Sequence, residues 1–276
     1  AAKISADFTL NESNQPQSVV LKPSTLGIFG GSLSLQGGLQ GDSVTTQARA
    51  TGLDLSKIMA MTSPGGKVKI TGTLKSLNAD LRGAKSSFAT SVSGPIKAAA
   101  SEGAISGVNI LKQVFEKIDT IPGLGVAALS YVPERYRSIV QSDSTQFRSM
   151  DLDATMESGT ARINDFTLAN ELYILSGQGT VVPGGSINLT TQLKLTPVLA
   201  ESIVLREPRA KLLLDSNNNI VIPVVIRKNG DGPIIALPDV SRLLKMGAKN
   251  TAKEAASKAL DKVAPGLGGA LNSIFK

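Results

Sequence analysis

The chain has 276 residues, of which 41% are hydrophobic and 18% charged, so it can bury a substantial core and disorder is not expected. It contains no Cys and no His, which excludes disulfides, thiolate nucleophiles, histidine general bases and His/Cys metal sites. The net charge is +7, with basic residues scattered through most of the chain and one local excess at the C-terminus, and aromatic residues make up only 4%, which disfavours nucleic-acid binding. We therefore expect no cofactor, no metal and no nucleic-acid partner.

The first segment, residues 1–83, is predicted to consist mainly of β-strands. Apolar and polar residues alternate with period two from Lys3 to Leu10, as in a strand with one apolar and one solvated face. The same alternation predicts strands over 32–41, 44–55 and 67–83. Gly72 is expected to mark a bulge or bend, and residues 53–61 to form a short helix.

The middle segment, residues 84–147, is predicted to be a helical insert. Apolar residues recur at helical spacing in GVNILKQVFEKI, residues 107–118. Pro122-Gly123 would end this helix. A second short helix is predicted over 133–141, with Pro133 in its first turn.

Strands are predicted again over the third segment, residues 148–237, with an irregularity near Asn164-Asp165. Residues 210–214 and 220–227 are expected to form a hairpin, in which Pro223 would fit best at an edge or a bulge. In GSINLTTQLKL, residues 185–195, every second residue is apolar or Thr, and the intervening residues are polar. This apolar face could pack against a second sheet or line a groove, and periodicity alone does not choose between them.

The last segment, residues 238–276, is predicted to be a helix with Asp239 as its N-cap. From Asp239 onward there are seven basic residues against three acidic ones. One interpretation is a solvated helix face on a helix that caps the sheet. The other is attraction of a basic helix to an anionic membrane surface.

Two motifs that could carry chemistry are better explained structurally. GIFGGSLSLQGG is rich in glycine but lacks the spacing and the following helix of a phosphate-binding loop. Asp151 and Asp153 share one strand face, but their neighbours offer no partner for metal binding or acid–base catalysis, so we interpret them as part of a solvated sheet face.

Three stretches in this order resemble the C-terminal region of AsmA-like proteins of double-membraned bacteria. They are EGAISGVNILKQVFEKI (102–118), DLDATMESGTARINDFTLANELYILSGQGTVVPGGSINLTTQLKLTP (151–197) and NIVIPVVIRKNGDGPIIALPDVSRLLKMGAK (219–249). The resemblance covers most of the chain from about residue 40. One departure lies in IRKNGDGPIIALPDV, where the family has a tighter Gly-Thr turn before its proline.

The resemblance implies a periplasmic protein, held in the inner membrane by an N-terminal helix that this chain lacks. It also implies curved sheets with apolar grooves, similar to those of bridge-like lipid carriers of the bacterial cell envelope. AsmA-like proteins are associated with phospholipid transport and outer-membrane integrity. The family has no catalytic residues to carry over, so we do not expect an enzyme.

Together these observations predict a single α+β domain over residues 1–276. Its large curved antiparallel sheet would form an apolar groove, with a helical insert in the middle and a helix at the C-terminus. The leading hypothesis is a non-enzymatic lipid-binding or phospholipid-transport module; the alternative is a structural or assembly protein for outer-membrane biogenesis, with a closed core and protein partners. The predicted lipid-binding face comprises Leu152, Ala154, Met156, Ile187, Leu189, Leu193 and Leu195.

Overall fold

The computed structural model of the chain describes residues 5–10, 16–62, 68–120, 128–215, 217, 219–246 and 248. Thirteen strands form one antiparallel sheet that is not closed into a barrel. Twelve of them follow one another across the sheet in chain order, and the short β5 lies off this path, paired with β6. The predicted fold class is therefore confirmed.

The strands are β1 (Ala6–Leu10), β2 (Pro16–Ile28), β3 (Gly31–Gln40), β4 (Ser43–Thr51), β5 (Leu53–Asp54), β6 (Ile70–Ala84), β7 (Gly94–Ser106), β8 (Ser144–Glu157), β9 (Thr160–Ala169), β10 (Tyr173–Val181), β11 (Ile187–Leu195), β12 (Val221–Lys228) and β13 (Ile235–Pro238). The α-helices are α1 (Leu55–Thr62), α2 (Phe88–Ser91), α3 (Ile110–Asp119), α4 (Arg137–Gln141), α5 (Pro197–Arg206) and α6 (240–246). Short 3-10 helices occur at Lys85–Ser87, Ala128–Tyr131, Glu134–Tyr136 and Pro208–Leu213.

All the described α-helices except α2 lie at one end of the strands. Because neighbouring strands run antiparallel, the connections α1, α3–α4, α5 and α6 all emerge at the same end, which we call the helix end. The opposite end, which we call the turn end, carries the turn after Gln40, α2, and the turns after Glu157, Val181 and Lys228.

The sheet curls around α3. The backbone N–H of Ile110, at the start of α3, donates to Thr145 Oγ1 on β8 over 3.1 Å. One helical turn later, Gln113 Oε1 accepts from the backbone N–H of Ala236 on β13 over 2.8 Å. Strands β8 and β13 are five inter-strand spacings apart, roughly 24 Å in a flat sheet. Ile110 and Gln113 lie only about 5 Å apart along the helix axis, so the sheet must bend to bring both strands to α3.

The main core lies between these helices and one face of the sheet, which we call the inner face. Leu168, Leu175, Leu193 and Ile222 lie opposite one another in the adjacent strands β9–β12 on this face, and all are buried in one cluster with α3 and α5. From α3 the cluster receives the five apolar side chains that its helical spacing places on one side, Ile110, Leu111, Val114, Phe115 and Ile118. The predicted amphipathic helix in this region is confirmed.

Two irregularities predicted from the sequence are present. The register of β6 and β7 shifts between Thr71 and Thr73, and Gly72 between them has φ +116°. The register of β8 and β9 shifts where Asp153 pairs with Asp165 and Ala154 pairs with Ile163, which leaves Asn164 as the extra residue of a bulge.

Other local predictions differ from the structure. Residues 210–214 are not a strand: they lie mostly in the 3-10 helix Pro208–Leu213, and Leu214 makes only an isolated bridge to Ile220. The segment 84–147 contains a strand of 13 residues, β7, as well as helices. The C-terminal helix begins after Asp239 as predicted, and Asp239 Oδ1 accepts from the backbone N–H of Arg242. Its predicted continuation over 249–276 lies outside the described residues.

Candidate functional site

The seven residues of the predicted lipid-binding face lie on the inner face, but at different depths. Leu193 and Leu195 belong to the main core and have 0% and 1% exposure, so a ligand could reach them only if the helices moved. Ala154 and Met156 are also buried. Leu152, Ile187 and Leu189 are half-buried. Ile187 and Leu189 lie at the turn end of β11, whereas on β8 Ala154 and Met156 lie closer to the turn end than Leu152.

A larger half-buried apolar surface continues across the N-terminal strands. It consists of inner-face residues that belong to neither buried cluster of the described chain, and we call it the open strip. The open strip contains Val19, Leu21, Leu26, Leu35, Leu39, Val44, Leu81, Ile96 and Leu152. Val19, Leu39 and Val44 lie directly opposite one another in β2, β3 and β4, so the surface is continuous across these strands.

Cover by helices differs sharply between the two halves of the sheet. Toward the N-terminal half the buried cluster is small and consists of Ala50 of β4, Leu53 of β5 and Leu74 of β6, with α1 contributing Ile58 at its border. At the N-terminal edge, Phe8 on the inner face of β1 has 67% exposure. The same face that α3 and α5 cover over most of β8–β13, where Leu152, Ile187 and Leu189 stay half-buried, is therefore uncovered over much of β1–β6 in the described part of the chain.

The residues predicted from the sequence lie on the inner face but mostly outside its most accessible part. They come from β8 and β11, whereas most of the open strip lies on β2–β7. The signal was present in the alternation of Leu33, Leu35 and Leu39 in β3. Only the position of the helices shows which half of an apolar face stays open, and that depends on contacts between distant parts of the chain.

The outer face of the sheet carries ordinary cross-strand ion pairs. Arg49 donates two hydrogen bonds to the Asp80 carboxylate, at 2.9 and 3.0 Å. The ammonium of Lys97 lies 3.0 Å from Asp153, the residue opposite it in β8. Hydrogen bonds from Lys97 and Asn164 lower the pKa of Asp153. Both carboxylates are thus paired with basic side chains of neighbouring strands.

A cleft of about 450 Å³ with a mixed polar and apolar lining lies beside the strand ends of β7 and β8. It is lined by Glu102, Gln146, Arg148, Asn170 and Glu171 among others, and Arg148 forms an ion pair with Glu171. Glu102 of β7 has φ +49°. In β8, which pairs with β7, the buried side chains are odd-numbered before this point and even-numbered after it, so both strands are distorted here. Charged and polar side chains line the cleft together with Phe147 and Ile139, whereas the open strip is apolar throughout.

Tyr173 is the largest buried side chain with an ionisable group among the described residues. Burial raises the pKa of its hydroxyl, and a hydrogen bond with Asn170 opposes that change only partly. The hydroxyl therefore stays neutral at physiological pH. Tyr173 lies in the main core, where its side chain packs against other buried residues.

No helix in the described ranges is long and apolar enough to cross a membrane. Comparison with known proteins found no matching family model, no matching characterised protein and no matching solved structure.

Proposed function

We propose that the chain is a non-enzymatic lipid-binding module that takes part in phospholipid transport. The open strip carries this proposal. It leaves large aliphatic side chains of a well-ordered sheet half-exposed on the inner face, where the other half of the same sheet is sealed by helices. Exposed contiguous apolar patches of this kind mark surfaces that bind an apolar partner.

The shape and chemistry of the open strip suit acyl chains. Its side chains are aliphatic and carry no hydrogen-bonding groups, so they would not distinguish one acyl chain from another. Each methylene group removed from water contributes roughly 0.8 kcal/mol, so a short length of acyl chain is held firmly without covalent chemistry. Because the strip lies on an open sheet, a ligand can also leave along its length, as transport requires.

The resemblance to AsmA-like proteins supports the cellular part of the proposal. We propose a periplasmic location, attachment to the inner membrane by a helix outside this chain, and a contribution to outer-membrane integrity. The resemblance and the open strip are independent, because the strip is defined by burial and packing.

The alternative is a structural or assembly protein for outer-membrane biogenesis that acts through protein partners. The edge strand β1 favours it. All five residues of β1 are exposed, and Phe8 and Leu10 present apolar side chains there. An unprotected edge strand can pair with a strand of another protein.

Native mass spectrometry of the purified chain tests the leading proposal. We expect phospholipid to copurify with the wild type and to be lost from Leu39→Asp, which places a charge in the open strip. Gln40→Asp is the matched control, because Gln40 is the next residue and lies exposed on the outer face. If the wild type carries no lipid, or if both variants retain the wild-type lipid content, the open strip is not a lipid site.

A further inference from the structure

The inner face of β9–β13 carries one charged residue among its described strand positions, and it lies at the turn end. Lys228 is the last residue of β12 and pairs with Ile187, the first residue of β11. The preceding inner-face residue of β12, Ile226, is buried in the main core with 4% exposure. Lys228 thus stands where the apolar face meets solvent, beside two residues of the predicted lipid-binding face, Ile187 and Leu189.

The ammonium group of Lys228 is fixed in place. It donates to the backbone carbonyl of Gly185 over 3.1 Å and to the carbonyl of Gly230. Gly185 belongs to the turn before β11 and Gly230 to the turn after β12, so the side chain is held between the two turns that border this part of the turn end. An ammonium has three donors, and these two bonds leave one available.

The positive charge of Lys228 is not neutralised by a carboxylate in the described part of the chain. The nearest acidic residue in sequence, Asp231, is exposed and forms no ion pair with it there. A cation that has one free donor and lies at the boundary of an apolar surface matches the chemistry of an anionic amphiphile. The anionic group would meet the ammonium, and the apolar part would lie on Ile187 and Leu189.

We propose that Lys228 binds the phosphodiester of a glycerophospholipid whose acyl chains lie on the inner face. This inference rests on the proposed lipid-binding function and adds to it the residue that contacts the headgroup. A charge-assisted hydrogen bond from Lys228 would favour a phosphate-bearing lipid over the corresponding neutral lipid by about tenfold.

Fluorescence titration with two tail-labelled lipids tests the proposal. We expect wild type to bind phosphatidylglycerol about tenfold more tightly than diacylglycerol with the same tails. Lys228→Met should remove that preference while leaving diacylglycerol affinity unchanged, and Lys228→Arg should retain it. Arg227→Met is the matched control: it removes the same charge from the adjacent residue, which is exposed on the outer face and should leave the preference intact.

The possible results separate this inference from the function on which it rests. If the wild type binds neither labelled lipid, the lipid-binding function and the headgroup site both fail. If it binds both lipids and Lys228→Met keeps the wild-type preference, only the headgroup site fails. Two further probes identify the anionic group: displacement of phosphatidylglycerol by an equal concentration of glycerol phosphate, or an equal loss of affinity for a labelled fatty acid in Lys228→Met, would overturn the assignment to a phospholipid.

Discussion

Neighbouring residues of β11 differ in depth, and this difference predicts how substitutions act. Leu193 is fully buried in the main core, Leu189 is half-buried toward the turn end, and Gln192 is exposed on the outer face. We expect Leu193→Ala to lower the free energy of unfolding by about 2–5 kcal/mol, because it leaves a cavity among well-packed side chains. Leu189→Ala should cost clearly less, and Gln192→Ala should stay within about 0.5 kcal/mol of wild type. Urea unfolding of the three variants measures this order, and equal losses for Leu193 and Gln192 would contradict the assignment of the inner face.

A carboxylate in the turn before β12 gives a prediction about pH. Asp215 Oδ1 accepts from the backbone N–H groups of Asn217 and Asn219 at 2.8 and 2.9 Å. Partial burial of Asp215 opposes ionisation, but these hydrogen bonds and the charge of Lys194 outweigh it, so the pKa lies below the usual 3.8. The stability that this group contributes is therefore complete above pH 3.8 and is lost as the pH falls through the lower pKa of the folded state.

We expect Asp215→Ala to reduce the free energy of unfolding by about 1 kcal/mol at pH 7, and the difference from wild type to shrink in strong acid. Asp151→Ala is the control, since Asp151 is exposed on the outer face of β8. Unfolding curves at pH 7 and at pH 3 and below make the comparison. If the stability difference between wild type and Asp215→Ala grew as the pH fell, the pKa of Asp215 would not be lowered in the folded state.

At the level of single residues, the sequence predicted positions where local chemistry decides the structure. Gly72 adopts a positive φ in a shifted register, as an isolated glycine in a strand pattern suggests. Asn164 is the extra residue of a bulge, where the apolar alternation slips. The special position of Lys228 was not predicted, because its role depends on two turns that meet only in the folded sheet.

The start of α3 is held by one buried side chain. Asn109 Oδ1 accepts from the backbone N–H of Lys112, which caps the helix. Its amide nitrogen donates to the carbonyls of Ile139, Val140 and Ser142, which ties the helix to α4 and to the chain that leads into β8. Asn109 has only 7% exposure, so these groups have little access to water if the side chain is removed.

We expect Asn109→Ala to lower the free energy of unfolding by about 2 kcal/mol. The helix would lose its N-cap, and three backbone carbonyls would lose the amide donor that they share. Asn109→Asp keeps the capping oxygen but turns a second carboxylate oxygen toward those carbonyls, so it should be at least as damaging. Thr120→Ala is a control at the exposed C-terminal end of the same helix. Thermal unfolding measures all three, and a wild-type melting temperature for Asn109→Asp would rule out the role of the amide donors.

Whole elements were predicted well where the pattern was long and poorly where it was short. The run AKLLL is apolar but too short for its period to separate a strand from a helix, and Pro208 favours the first turn of the 3-10 helix found there. Helix α5 begins with Pro197 and buries Leu199, Ala200 and Ile203, a helical spacing that was not identified. Strand β7 is rich in Ala, which has high helix propensity, but it lies between β6 and β8, and pairing with both decides its structure.

At the scale of the whole molecule, positive charge is concentrated at the C-terminus. Helix α6 is attached to the core through Leu243, which has 1% exposure. Residues 249–276 contain five lysines and two acidic residues. Lysines near an anionic membrane surface contribute on the order of 1 kcal/mol each at low salt.

Deletion of residues 249–276 separates the two interpretations of this segment. If it provides membrane attraction, the truncated chain should keep its unfolding transition but bind less to vesicles of phosphatidylglycerol at low salt. The full chain at high salt serves as the control, because screening should weaken its binding in the same way. Cosedimentation measures both, and equal binding by the two chains at low salt would leave the segment as a cap without a membrane role.

The order of the strands has a consequence for synthesis and for evolution. Apart from β5, each strand pairs with the strands directly before and after it in the chain, so no strand has to wait for a partner made much later. The sheet can grow from its N-terminal edge as the chain leaves the ribosome, and the longest segments that must be made between paired strands are 107–143, before β8, and 196–220, before β12. For the same reason a hairpin can be gained or lost at the N-terminal edge without any change in how the remaining strands pair. Each such event would change the width of the apolar surface by roughly 10 Å, the spacing of two strands.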